Sequence, residues 1–253
     1  MNRSPLPAEA VLPSLSSTCD FNWLSEIEKS TPCDLRHTDV SHCLFAPIHY
    51  EQGYSYPLIV WLHGPASNEQ ELRNLMPLVS VRNYVAVAPR GTAQTEGRRA
   101  AFDWDQSSRS ISDSYERVLH CIDMAQDRFH IHPERIFIAG LAAGGTMALR
   151  LGLEHPDQFA GAISLGGPVP MGECPLKRIT EARKLPLLLS VSPDQEKFPL
   201  DHVMDNVKLL HFAGSSLSLR LYPAGDELTT VMLSDLDNWI MERVCPATVD
   251  SAN

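Results

Sequence analysis

Five residues raise the chemical question in this chain: Gly140-Leu141-Ala142-Ala143-Gly144. The apolar run "RIFIAG" enters them and "TMALRL" leaves, a strand, a tight turn and a helix. In the pattern G-x-S-x-G the same turn presents a serine hydroxyl for attack on a carbonyl carbon. Here the central side chain is a methyl. Three other segments bear on the same chemistry. "IVWLHG" ends a strand with His63-Gly64, followed by Pro65; "LLLSVSPDQ" sets Asp194 just past another; "LYPAGDELTT" sets Asp226 between the last strand and the last helix.

In this order and at these separations, the four segments resemble the α/β-hydrolases. Within them they resemble the phospholipase/carboxylesterase branch that includes acyl-protein thioesterases. Those enzymes carry a G-F-S-Q-G-G-type elbow, which falls on Gly140 to Gly145, and the resemblance runs from about residue 42 to 244. It implies an α/β-hydrolase fold, with a mostly parallel central sheet and helices on both faces. It also implies serine hydrolysis of ester or thioester bonds with no cofactor and no metal. Nucleophile, acid and base fall on Ala142, Asp194 and Asp226. The two oxyanion donors would be the backbone N–H groups of Ala143 and of Pro65.

The carried-over positions have lost the reacting groups. Ala142 has no oxygen to attack with, so no acyl-enzyme forms there. A carboxylate at Asp226, with a pKa near ~4, is a poor substitute for an imidazole near ~6.5 that takes and returns a proton at neutral pH. Pro65 has no N–H, and one oxyanion donor is typically worth roughly 2.7–4 kcal/mol to the transition state. Three independent losses point to a natural pseudoenzyme. Stand-ins are few. His202 and His211 precede the last strand and read as surface or helix-packing residues, and His63 shapes its loop. Cys121 reads as core, Ser190 and Ser192 have no evident base, and Ser67 reads as a cap for a helix starting near Asn68. Asp194 and Asp226 facing each other would share a proton or hold a cation. The favoured role for Asp226 is instead to cap the last helix through Leu228 or Thr229.

These residues need a framework, and the apolar pattern supplies one. Strands are expected over 42–50, 56–64, 83–91, 135–140, 159–167, 185–192 and 217–225. Helices are expected over 110–129, 143–155, 199–214 and 228–244, with a short one over 21–30. The alternation predicts parallel strands joined by right-handed crossovers. The irregular stretches 92–109 and 168–183 follow strands at the sheet edge where such folds bind ligands. Trp104 and Phe102 either line that site or pack their loop down, and packing is the favoured reading. Residues 1–40 read as an arm, 41–246 as one α/β-hydrolase domain and 247–253 as a flexible tail.

The bulk composition narrows the partners. The 253 residues are 43% hydrophobic and 21% charged, with a formal net charge of −10. No basic cluster exists, which argues against nucleic acid. No run reaches the length of a membrane span, and no leader pattern opens the chain. The six cysteines, at 19, 33, 43, 121, 174 and 245, form no zinc spacing. The expectation is a cytoplasmic, catalytically inactive homologue that binds a small apolar or acyl ligand, or another protein. An active hydrolase with a displaced catalytic set is the alternative, and a structural subunit of a homodimer a third reading.

Overall fold

The structure, a computed structural model, describes residues 41–93, 101–192, 200–223 and 227–245. The expected helix over 21–30, Asp194 and Asp226 lie outside the described residues. A seven-stranded sheet is built from β1 (His42–Phe45), β2 (Tyr56–Leu62), β3 (Val85–Pro89), β6 (Ile131–Leu141), β7 (Gly161–Leu165), β8 (Leu187–Val191) and β9 (Leu217–Leu221). Its order is β1-β3-β2-β6-β7-β8-β9, and only β1 runs antiparallel. A two-stranded ribbon, β4 (Thr92–Ala93) with β5 (Phe102–Asp103), stands apart. The helices are α1 (Glu71–Val79), α2 (Ser108–Arg128), α3 (Ala143–Glu154), α4 (Ile179–Ala182), α5 (Leu200–Phe212) and α6 (Thr230–Val244). This is the α/β-hydrolase arrangement.

β2 shows why both faces are covered. Its seven residues are all buried, and alternate side chains of a strand point to opposite faces. Leu58, Val60 and Leu62 enter one core with Val118 and Ile122 of α2 and Met147 and Leu151 of α3. Ile59 and Trp61 enter the other, with Leu72 and Met76 of α1 and Leu236 and Ile240 of α6. A strand that must be apolar at every position loses the two-residue alternation and reads as a continuous run. The buried side of α2 is Ile111, Ser114, Val118, Cys121, Ile122 and Ala125, the three- and four-residue steps of one helix face.

Several boundaries differ from the sequence expectation. β1 stops at Phe45 because the chain turns at His49, where φ is 59°. β6 begins four residues before the expected start, and its pairing with β2 slips between Tyr56/Ile131 and Leu58/Ile136. Pro133 lies in that slip, where a missing N–H is tolerated. Ser67 does not cap α1: its N–H donates to the Gly64 carbonyl (3.3 Å), it bridges to Phe102, and the helix opens only at Glu71. The expected cap of the last helix, Asp226, lies outside the described residues. That helix starts at Thr230, and Thr229 Oγ1 accepts from the Met232 N–H at 3.3 Å.

Candidate active site

The turn between β6 and α3 is strained. Ala142 has φ 48° and ψ −114°, a combination that non-glycine residues rarely adopt. Its surroundings hold it there. Ala142 N–H donates to the Leu165 carbonyl (2.8 Å), and its own carbonyl accepts from Thr146 N–H (3.0 Å). Gly144 packs so tightly under β2 that an added Cβ would overlap the carbonyl oxygens of Leu62 and His63, and one on Gly140 would overlap the Gly144 backbone. Both glycines are required by close approach. The Ala142 side chain is partly exposed, and Ala143 opens α3, where the first N–H groups lack intrahelical acceptors.

Beside this turn runs the end of β2. Leu62 pairs with Gly140, which sets His63, Gly64 and Pro65 alongside the elbow. A Cβ on Gly64 would lie 3.1 Å from Leu141 Cδ2. Glu71, the first residue of α1, fixes this corner. Its carboxylate accepts from Gly64 N–H (3.2 and 3.3 Å) and from Trp61 Nε1 (2.8 Å). Pro65 is exposed. The structure therefore brings Pro65, Ala142 and Ala143 together at one end of the sheet. Val191 pairs with Leu221, so β8 and β9 end side by side at that same end.

His63 is wholly buried and has no nitrogen left for proton transfer. Nε2 accepts from Gly91 N–H at 3.0 Å, so the proton sits on Nδ1, which lies 2.8 Å from the Gly64 carbonyl. Burial lowers its pKa below the ordinary value, outweighing the Gly64 hydrogen bond and the nearby Glu71, Glu69 and Asp103 charges that act the other way. Trp104 packs against it, ring centroids 5.1 Å apart, and donates from Nε1 to the His63 carbonyl (2.9 Å). The packing reading of Trp104 holds, and Phe102 lies under the Arg90 guanidinium (4.8 Å). Cys121 is buried in the core and desolvation raises its thiol to about 12, so it stays protonated. Ser190 Oγ is buried and accepts from Gly166 N–H (2.9 Å).

Two buried charged groups at this end escaped the sequence reading. Glu69, 2% exposed, takes both arms of the Arg90 guanidinium. Burial alone would raise its pKa, but the Arg90 hydrogen bonds and charge hold it lowered. Arg150 of α3 is completely buried, with hydrogen bonds to Gln106 and to the carbonyls of Met171 and Gly172. No motif marks either residue; the nearest signal is an arginine on a helix that is otherwise buried throughout. Among the described residues no three His, Cys, Asp or Glu side chains converge as metal ligands. A groove of about 670 Å³ lies elsewhere, at the opposite end of the strands between Arg135, Pro156 and Arg243.

A strand, a strained turn with a small residue at its apex and a helix, flanked by a His-Gly loop, make up this corner. The family model described as Putative esterase matches residues 37–211. The chain belongs to this esterase family. A probable carboxylesterase of rice (Oryza sativa subsp. japonica) is 25% identical over 216 residues, 76% of this chain and 91% of that protein. A second rice protein, named a probable inactive carboxylesterase, is 26% identical over 111 residues, 43% of this chain and 45% of that one. The crystal structure of Arabidopsis thaliana SOBER1 has a TM-score of 0.64 at 22% identity, covering 75% of this chain and all of that one. Bacillus cereus carboxylesterase has a TM-score of 0.65 at 16% identity, over 81% and 95% of the two chains. Within the described residues no helix is long and apolar enough to cross a membrane.

Proposed function

We propose that this member of the esterase family is a catalytically inactive homologue that works by binding, with Ala142, Asp194 and Asp226 at the triad-equivalent positions. Pro65 and Ala143 hold the oxyanion-equivalent positions. The observation that carries the reading is the methyl of Ala142 at the apex of a strained turn. A conformation that costs of order 1–3 kcal/mol is kept where the attacking oxygen would sit. Pro65, without an N–H, beside that apex removes one donor for a developing oxyanion. His63, the histidine of this corner, has both nitrogens engaged. That a rice relative is named inactive is in keeping with such losses in this family.

The bound species is a small apolar or acyl compound, or a protein partner, taken up at the Ala142 end of the sheet. Labelling with a fluorophosphonate probe tests the reading. Intact mass spectrometry of the wild-type chain is expected to show no adduct under conditions that label an active serine carboxylesterase fully. A stoichiometric adduct on any serine would overturn it in favour of a displaced catalytic set.

A further inference from the structure

Two segments border the Ala142 end of the sheet, and one buried side chain holds both. Residues 101–107 contain β5 and lead into α2, and residues 168–174 follow β7. Arg150 lies two turns into α3 with no exposed surface. Its Nε donates to Gln106 Oε1 (2.7 Å) in the first segment. Its Nη1 and Nη2 donate to the carbonyls of Gly172 (3.2 Å) and Met171 (2.6 Å) in the second. The remaining contact, Glu154 Oε1 at 3.4 Å, is the one carboxylate paired with this charge among the described residues.

Burying a guanidinium carries a desolvation penalty, and neutral carbonyls return only part of it. A methionine of similar length would fill the same space without that cost. What arginine adds is a rigid fork whose donors diverge toward two different acceptor sets. Each segment is anchored again on its own side. Trp104 Nε1 donates to the His63 carbonyl, and Gln106 Nε2 reaches the Trp104 carbonyl at 3.4 Å. Thr146, one turn before Arg150 on α3, donates from Oγ1 to the Pro168 carbonyl at 3.0 Å. Ser108 closes the outer side with a hydrogen bond to Glu173 (2.5 Å). The backbone it closes over is itself contorted, with φ positive at Gly172, Glu173 and Cys174 in succession.

We propose that Arg150 is a positioning residue that joins the two segments into one unit, so that moving either wall of the Ala142 end moves the other. A ligand that orders one wall then orders both, and the coupling is reciprocal. The inference does not depend on whether the site is catalytic.

Reporters on the two walls test it in the full-length chain. The Met171 methyl, 69% exposed, is followed by carbon-13 methionine labelling, and the Trp104 indole N–H by nitrogen-15. Gln106→Ala touches only the first wall. It is expected to shift the Met171 methyl by more than a linewidth, while Gln106→Glu, which keeps an acceptor for Nε, leaves it in place. Thr146→Val releases only the second wall and is expected to move the Trp104 indole signal. If each variant moves only the reporter on its own side, or if Gln106→Glu moves Met171 as far as Gln106→Ala does, the proposal fails. These variants spare Arg150 itself, so loss of the fold does not cloud the result.

Discussion

Ala142 carries a backbone conformation that a methyl side chain gains nothing from. Glycine meets φ 48° and ψ −114° without steric conflict but loses more entropy on folding, about 0.5–1 kcal/mol. The strain relieved is of order 1–3 kcal/mol. Ala142→Gly is therefore expected to raise stability by about 1 kcal/mol in urea unfolding; a destabilised variant would mean that the turn is relaxed. His63 behaves as a buried neutral imidazole. Its folded pKa is lowered by burial, so between that value and the ordinary 6.5 the unfolded chain binds the extra proton. Its contribution to stability is intact above about pH 6.5 and is lost as pH falls toward the folded value. Ring nitrogen-15 shifts should show the native ring gaining its second proton at a lower pH than in the urea-unfolded chain, and an equal or higher midpoint in the native protein would contradict the assignment. The role of His63 as a loop-shaping residue was legible from "WLHG". That of Arg150 was not, because two of its partners are backbone carbonyls of a patternless loop and a third, Gln106, lies 44 residues away in the chain.

At the scale of elements, the β6–α3 unit depends on how closely its helix approaches β2. A methyl on Gly144 would overlap the Leu62 and His63 carbonyls, backbone atoms that cannot rotate away. Gly144→Ala is expected to cost at least about 1–3 kcal/mol as overpacking, measured by the urea midpoint; a neutral effect would show that the helix can lift off the sheet. Thr229→Ala should cost about 1 kcal/mol through loss of the α6 cap, whereas no loss would return the cap to an earlier residue. The sequence reading put that cap at Asp226 because an acid before "ELTT" fits the general preference. Both threonines that follow are also good caps, and only the helix start chooses among them. The early start of β6 was hidden for a similar reason. "IHPER" is polar and holds a proline, and only the slipped pairing with β2 makes it a strand.

For the whole molecule, the parallel sheet, its two cores and the placement of irregular segments at one end were legible, since continuous apolar runs alternating with amphipathic helices allow few other folds. What the loops do at that end was not, because their order comes from single hydrogen bonds rather than from a repeating pattern. Function turns on whether this end of the sheet can transfer an acyl group. Steady-state hydrolysis of p-nitrophenyl acetate, wild type beside the Pro65→Leu/Ala142→Ser/Asp226→His variant, measures that directly. The wild-type chain is predicted to match buffer while the triple variant turns over. Wild-type turnover well above buffer, abolished by replacing one residue at the Ala142 end, would contradict the inactive reading.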